Sequence, residues 1–322
     1  MTDWTFIVVP LLVLPIVLLF RFIGCGIDNK ATGNFFPPNP PTLPGYAETI
    51  RAESSVRAYW RLVDGASALI AADEKGFKDG EYVVNPLLPK EEPEKFGPDS
   101  EGSEAGTGDF LFLPQPGLIG SNPTAKCRFF NGGHVLVSQE QADKVLYTDE
   151  FTIEAWIEKG WQQNIKGYQY VLFSAGGFFR ATFDEKPALH GFTVFAKVDA
   201  SANHDSRWDV HFYTSGAVTR DPPGILPIVP EGTSHFAFIV KNVGSTKFWA
   251  IYVRGKITLS GTVQSYSLPM GAPLLIGVGE RDPDPTTNPP KRFPLLSRIQ
   301  DVVLHNRALS QEEIQSHVKL FS

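Results

Sequence analysis

Short runs of hydrophobic residues, separated by turn-forming residues, recur along the chain from residue 50 onward. Their spacing of about 8–15 residues is typical of a β-sandwich or a β-barrel. Strands are predicted at residues 57–62, 126–130, 134–137, 151–157, 170–175, 192–197, 209–214, 235–241, 247–253, 256–259, 274–278 and 299–305. The pattern therefore predicts an all-β domain.

The segment 151–157 shows the alternation of a strand that has one face in a core. Phe151, Ile153, Ala155 and Ile157 occupy its odd positions, whereas its even positions are mixed. Successive side chains of a strand point to opposite faces. Trp156 is therefore predicted to lie on the other face from Phe151 and Ile153.

Glycine-containing turns are predicted at residues 131–133 and 254–255. Three longer segments, at residues 90–109, 220–232 and 281–292, are rich in acidic residues, Gly, Ser or Pro. Segments of this composition usually run over the protein surface, so we predict that all three are loops.

One helix is predicted close to the end of the sequence. Ser310 and Glu313 have the spacing of a capping box, in which each side chain accepts a hydrogen bond from the other residue's backbone N–H. Ile314, Val318 and Leu320 follow on one apolar face.

Residues 1–26 contain an apolar run that is long enough to cross a membrane, which takes about 20 residues of helix. Pro10 and Pro15 lie inside the run and are tolerated in a membrane helix that kinks. Trp4 and Arg21 lie at its two ends, where side chains that anchor a helix at the membrane interface are found. We predict a transmembrane helix or signal-anchor here.

Two alternatives for this segment remain open. A cleaved secretory signal is disfavoured, because no Lys or Arg precedes the apolar run and the run exceeds the roughly 7–15 residues that are usual in signal peptides. A bacterial lipoprotein signal is the other, because residues 22–26 resemble a lipobox in which Cys25 would be lipidated.

Five prolines in residues 27–47 predict an extended, semi-rigid linker. The expected organisation is therefore a membrane segment at residues 1–26, a Pro-rich linker at 27–47 and a β-domain at 48–322.

Composition excludes several classes of protein. The net charge of −6 argues against a nucleic-acid partner, because such proteins cluster Lys and Arg on their binding surface. Two cysteines exclude a disulfide scaffold and any zinc module built from several cysteines. The 24 Phe, 29 Gly and 26 Pro residues favour short strands joined by turns.

Several segments of the chain resemble LamG-like domains, which are concanavalin A-like lectin/glucanase jelly rolls. The matching segments are residues 58–62, Asp73, residues 80–82, 129–135, 151–157, 248–256, 275–277 and 299–314. The resemblance implies an all-β, two-sheet jelly-roll sandwich. The sequence departs from the family's pattern at residues 234–236, 293–297 and 300–301, which weakens the transfer of a ligand site.

The side of the membrane on which the domain lies is harder to predict. Arg21 and Lys30 follow the apolar run, which by the positive-inside rule places the domain in the cytoplasm. LamG-like domains, however, are common in bacterial surface and phage proteins. From this resemblance we expect an extracytoplasmic domain, in the periplasm or on the cell surface.

Relatives of such domains include glycoside hydrolases, which need two carboxyl groups about 5–5.5 Å apart for a retaining mechanism. Glu154 and Glu158 share one face of a predicted strand but are separated by about 13 Å along it. We therefore expect no catalytic residues and no enzymatic activity.

The sequence gives only a weak indication of a metal site. The seven histidines form neither a His-x-His nor a His-Glu-x-x-His motif, so no zinc site is predicted. Calcium is the one ion considered, with Asp282 and Asp284 as candidate ligands, although solvated loop carboxylates explain these residues better. No other cofactor is expected.

The predicted function is that of a membrane-anchored, non-catalytic binding or scaffold protein. Its partners would be the membrane and other protein subunits, which the helix and the linker would contact as an accessory subunit of a larger complex. The alternative is an extracytoplasmic carbohydrate-binding protein, with Trp161, Trp208 and Tyr213 as exposed, ligand-binding aromatics. A polysaccharide hydrolase is the least favoured.

Overall fold

The computed structural model describes residues 45–64, 68–83, 114–118, 126–131, 133–138, 147–159, 169–179, 188–198, 205–214, 217–220, 226–264, 273–280 and 292–320. The predicted membrane segment, with Trp4, Pro10, Pro15, Arg21 and Cys25, lies outside these residues. Within the described part of the chain, no helix is both long and apolar enough to cross a bilayer.

The described residues form two α-helices and a series of β-strands. In chain order the elements are α1 (Tyr46–Ala52), β1 (Val56–Trp60), β2 (Ile70–Ala71), β3 (Gly80–Val83), β4 (Pro114–Pro116), β5 (Lys126–Asn131), β6 (His134–Val137), β7 (Phe151–Lys159), β8 (Gln169–Phe179), β9 (Ala188–Val198), β10 (Ser206–Thr214), β11 (Ala217–Arg220), β12 (Gly232–Val243), β13 (Thr246–Val253), β14 (Lys256–Val263), β15 (Leu274–Ile276), β16 (Val278–Glu280), β17 (Arg292–Pro294), β18 (Leu296–His305) and α2 (Gln311–Lys319).

Two large antiparallel sheets contain most of these strands. The first sheet has the order β14-β13-β12-β7-β18-β5-β4, and β1 also pairs with β18. The second sheet has the order β11-β10-β9-β8-β15-β6-β3-β2, and β16 pairs with β17 separately. The predicted all-β, two-sheet antiparallel sandwich is thus confirmed.

The hydrophobic core lies between the two sheets. Phe151 of β7 stacks on Phe192 of β9, with ring centroids 5.3 Å apart. Trp208 of β10 packs against Phe236 of β12 at 5.1 Å. Because each pair joins a strand of one sheet to a strand of the other, aromatic contacts hold the two layers together.

The outer face of the first sheet is also covered. Trp156 lies there, in a second apolar cluster with Tyr46 and Ile50 of α1 and with Tyr59 of β1. Phe151 and Ile153 belong to the core between the sheets. The prediction that Trp156 faces away from these two residues is therefore confirmed.

Helix α2 packs on a neighbouring part of the same outer face, where its Ile314 joins residues of β12 and β13. The predicted capping box is present, because Glu313 N donates to Ser310 Oγ at 3.2 Å and Ser310 N donates to Glu313 Oε2 at 2.8 Å. Its buried side chains are Ile314 and His317, so the inward face of the helix is partly polar.

Two sequence predictions need correction, and a third is confirmed. Helix α1 was not predicted, and it begins at Tyr46, inside the segment that was assigned to the linker. The turn at 131–133 does not form a hairpin, because β5 and β6 belong to different sheets. The turn at Arg254-Gly255 does join the paired strands β13 and β14, and both of its residues have positive φ.

Candidate functional site

One glutamate and three histidines meet on the outer face of the first sheet, beneath α2. Glu154 is on β7, His235 on β12 and His305 on β18, while His317 comes from α2. All four residues are buried. Strand β7 lies between β12 and β18, so its glutamate has one histidine-bearing strand on each side.

Strand register explains why these side chains meet. His235 pairs with Trp156 across β12 and β7, and His305 pairs with Thr152 across β18 and β7. Trp156 and Thr152 are each two residues from Glu154, so both histidines are diagonal neighbours of the glutamate on the same face.

The distances within this cluster are short. His317 Nδ1 lies 2.8 Å from Glu154 Oε2, and His305 Nε2 lies 3.2 Å from the same oxygen. His235 Nε2 lies 3.6 Å from the other oxygen, Glu154 Oε1, which is too long for a good hydrogen bond. These four residues are called the Glu154 cluster below.

A second layer of polar groups surrounds the Glu154 cluster on the side of α1. His317 Nε2 lies 2.7 Å from Glu53 Oε1, just after the end of α1. His305 Nδ1 lies 3.0 Å from Ser55 Oγ, which in turn donates to Glu53 Oε2 at 3.4 Å. Both nitrogens of His305 and of His317 are therefore engaged.

The pKa values of the residues in the Glu154 cluster are shifted in different directions. Burial would raise the pKa of Glu154, but hydrogen bonds with His305 and His317 hold this pKa far below its usual value. Burial would lower the pKa of His317, whereas its hydrogen bonds to Glu154 and Glu53 raise that pKa to about 10. Burial lowers the pKa of His235 to about 4, despite the nearby Glu154 carboxylate. At neutral pH a protonated His317 thus bridges two carboxylates, and His235 is neutral.

Three polar atoms of the Glu154 cluster are left over. Glu154 Oε1 and both ring nitrogens of His235 are buried and have no hydrogen-bond partner among the described residues. Buried polar atoms nearly always have a partner, because leaving one unsatisfied costs about 1–3 kcal/mol. The arrangement therefore has unused capacity to bind another group.

A separate polar network lies on the same sheet around Asp301. Tyr59 OH donates to Asp301 Oδ1 at 2.5 Å, Gln300 Nε2 donates to Asp301 Oδ2 at 2.9 Å, and Arg61 Nε lies 3.5 Å from Asp301 Oδ1. Burial outweighs these contacts and raises the pKa of Asp301 to about 6. Asp301 has a φ of 54° and occupies a bulge in β18, where the pairing with β7 shifts between Gln300 and Val303.

A third arrangement is structural. The Asp73 carboxylate accepts hydrogen bonds from four backbone N–H groups at 2.7–2.9 Å, namely those of Tyr59, Lys75, Phe77 and Lys78. It thereby holds the loop between β2 and β3 against β1.

The aromatics predicted as ligand-binding are not exposed where the structure describes them. Trp208 is fully buried between the sheets, because the even positions of β10 face the core. Tyr213 is 3% exposed, and its hydroxyl lies 3.1 Å from Thr193 Oγ1. The prediction of exposure is wrong for both residues. Trp161, Asp282 and Asp284 lie outside the described residues.

Glu154 and Glu158, the carboxylates considered for catalysis, have different partners. Glu154 belongs to the buried cluster, whereas Glu158 forms a bidentate pair with Arg298. Both carboxylates therefore make contacts that stabilise the first sheet.

Sequence reasoning missed the Glu154 cluster as a unit. His235 and His305 were placed in strands, and the helix of His317 was predicted, but no motif joined these residues. The available signal was a polar residue at an outward position in each of three predicted strands.

Comparison with known proteins identifies the family to which the chain is similar. The model of the Concanavalin A-like lectin/glucanases superfamily matches residues 130–315, which is more than half of the chain. A comparison with curated protein sequences finds no match.

Several solved structures have a similar fold at low sequence identity. Domain 4 of AbnA, an extracellular GH43 arabinanase from Geobacillus stearothermophilus solved with arabinotriose, is 14% identical with a TM-score of 0.49, over 82% of this chain and 98% of that one. The binding domain of Paraclostridial Mosquitocidal Protein 1 is 11% identical with a TM-score of 0.47, over 84% and 52%.

Trypanosoma rangeli sialidase is 15% identical with a TM-score of 0.46, over 83% of this chain but only 32% of the sialidase. These likenesses concern the fold alone. On the strength of the family match across residues 130–315, this chain belongs to the Concanavalin A-like lectin/glucanases superfamily.

Proposed function

We propose that the protein is a non-catalytic binding or scaffold module that its N-terminal segment anchors in a membrane. In this proposal it is an accessory structural subunit of a larger membrane complex, with its jelly-roll domain on the extracytoplasmic side. The apolar run of residues 1–26 and the five prolines of the following linker support the anchoring part of the proposal.

The observation that carries the non-catalytic part is the position of Glu154. This carboxylate is fully buried on the outer face of the first sheet, under α2, and its Oε2 is occupied by two histidines. A glycosidase needs its carboxyl groups at a surface that a sugar can reach. Glu154 holds the sheet and the helix together instead.

Two exposed aliphatic side chains at a sheet edge support a protein contact. Leu69 is 73% exposed and Ile70 is 49% exposed, and Ile70 begins β2 at the edge of the second sheet. An edge strand offers unpaired backbone groups to another chain, and exposed aliphatic side chains beside it favour such a contact.

The membrane anchor is tested by truncation. Residues 1–43 are deleted and Tyr46 is kept, because Tyr46 is buried in the outer-face cluster of α1. We expect the truncated chain to be a folded, soluble domain that no longer co-purifies with the proteins that accompany the full chain in mild detergent. Co-purification of the truncated domain at full stoichiometry would show that the sandwich surface carries the binding.

A further inference from the structure

We propose that the Glu154 cluster binds one divalent transition-metal ion of the zinc class, with Glu154, His305 and His317 as its protein ligands. Such an ion would fasten α2 to the first sheet. This inference concerns a structural site on the outer face and is independent of the proposed anchoring function.

The donor atoms already converge. One atom each from Glu154, His305 and His317 lie within 4.8 Å of one another. Ligand atoms about 2.0–2.2 Å from a tetrahedral zinc ion are themselves a little over 3 Å apart. The 2.8 Å and 3.2 Å separations of His317 Nδ1 and His305 Nε2 from Glu154 Oε2 are close to that spacing.

The groups behind the ligands have the arrangement that zinc sites use. A histidine that binds zinc through one nitrogen usually donates its other N–H to a carboxylate, a carbonyl or another oxygen, which fixes the orientation of the ring. His317 Nε2 meets the Glu53 carboxylate at 2.7 Å, and His305 Nδ1 meets Ser55 Oγ at 3.0 Å. Each ring therefore presents its remaining nitrogen to Glu154, and His317 Nδ1 would release its proton to solvent as the ion binds.

The atoms without partners point to the same place. His235 Nε2 faces Glu154 Oε1 at 3.6 Å, and neither atom has a hydrogen-bond partner among the described residues. Both side chains are fully buried. An ion bound to the Glu154 carboxylate would lie beside a carboxylate oxygen that the described residues leave without a partner.

The chemistry of the donors selects the class of ion. Imidazole nitrogens suit Zn²⁺ and its neighbours in the first transition series, whereas Ca²⁺ and Mg²⁺ take oxygen ligands. Two imidazole nitrogens and one carboxylate in a buried setting form a donor set that zinc accepts.

The test measures metal content in the full chain, purified in mild detergent without a histidine tag after expression in zinc-supplemented medium. Elemental analysis should find about one zinc ion per chain that stays bound through gel filtration. Replacing zinc by cobalt in the medium should give the visible absorption of tetrahedral Co²⁺. Less than about 0.1 zinc or cobalt per chain in the wild-type protein would overturn the proposal.

Variants locate the ion. His305→Gln and His317→Gln should each reduce the bound zinc at least about tenfold, and Glu53→Gln, which keeps all three ligands, should weaken zinc affinity about 10–100-fold. His211→Gln is the matched control, because His211 is on β10 of the other sheet, and this variant should keep its zinc.

Circular dichroism shows whether each variant folds. If a ligand variant fails to fold, the zinc affinity of the Glu53→Gln variant and the cobalt spectrum of the wild type decide whether the cluster binds the ion. Zinc that is retained at wild-type affinity in folded His305→Gln and His317→Gln would place the ion elsewhere and contradict the proposal.

Discussion

His317 Nδ1 lies 2.8 Å from Glu154 Oε2, although the two residues are 163 positions apart in the sequence. This contact joins α2 to the middle of the first sheet at a point that solvent does not reach. His317 also reaches Glu53 after α1, so one imidazole connects both helices and the sheet. Polar contacts as well as apolar ones therefore close the outer face.

Trp156→Ala should destabilise the domain by roughly 3–5 kcal/mol. Trp156 is 8% exposed and packs with Tyr46, Ile50 and Tyr59, so the substitution leaves a cavity under α1. Urea unfolding of the domain measures the loss. Ile228→Ala is the control, because Ile228 is 50% exposed, and a cost below about 1 kcal/mol for Trp156→Ala would contradict the packing.

Asp301→Asn should change how stability depends on pH. The pKa of Asp301 is raised to about 6 in the folded protein, from 3.8 in the unfolded chain. The folded state therefore binds the proton more tightly, and this contribution to stability is complete below pH 3.8 and is lost as the pH rises through 6. The stability of the wild type relative to Asp301→Asn should fall by about 2.4 kcal/mol between pH 4 and 7.

Asparagine tolerates the positive φ of position 301, so the backbone strain is the same in both proteins. Asp149→Asn is the control, because its side chain is 72% exposed. Unfolding by urea at a series of pH values gives the comparison. Parallel stability profiles for the wild type and Asp301→Asn would show that the Asp301 carboxyl group is not perturbed.

Asp73→Ala should cost at least about 3 kcal/mol, because four buried or partly buried N–H groups lose their acceptor. Asp73→Asn keeps one of the two oxygens and should cost less. Glu81→Gln, at an exposed position of β3, should change the free energy of unfolding by under about 0.5 kcal/mol. Equal stability of Asp73→Ala and the wild type in urea would refute this role of Asp73.

Gly255→Ala and Gly244→Ala form a matched pair. Both glycines have positive φ, so either substitution strains the backbone by about 1–2 kcal/mol. A Cβ at residue 244 meets nothing within 4 Å, whereas a Cβ at residue 255 would lie 2.9 Å from Gln315 Cγ in α2. Gly255→Ala should therefore cost about 1 kcal/mol more, and it should weaken the hydrogen bond from Gln315 Nε2 to Gly255 O.

Thermal unfolding compares the two glycine variants, and hydrogen exchange of α2 identifies where the extra cost arises. Faster exchange in α2 is expected for Gly255→Ala alone. Identical losses in the two variants would mean that α2 does not pack on the β13–β14 turn.

Local patterns were sufficient to predict most of the strands and α2, although β2, β3, β4, β11 and β17 lie outside the predicted segments. The two faces of β7 and the Ser310–Glu313 capping box each depend on residues that are neighbours in sequence, and the structure places Phe151 and Trp156 in different clusters and forms the box. Helix α1 was missed because its seven residues bury only Tyr46 and Ile50. Two apolar positions are too few to show a helical period, so the segment could not be distinguished from a linker.

The Glu154 cluster was not predictable in the same way. Its members come from β7, β12, β18 and α2, and their meeting depends on which strands pair and in which register. Neither property follows from the order of residues within a single segment. The burial of Trp208 was not predictable either, because it depends on which face of β10 points to the core. From the sequence alone, an aromatic residue at an even position of β10 fits an exposed groove as well as a core.

The bulge at Asp301 determines to which face of the sheet the later side chains of β18 point. In an unbroken strand Ile299 and His305, an even number of residues apart, would point to the same side. Ile299 instead lies in the core, while His305 faces outward to Glu154. Removing the extra residue would turn the imidazole into the aromatic interior and Leu304 toward the helices. The single extra residue of the bulge therefore determines which face of β18 is apolar and which face carries the imidazole of His305.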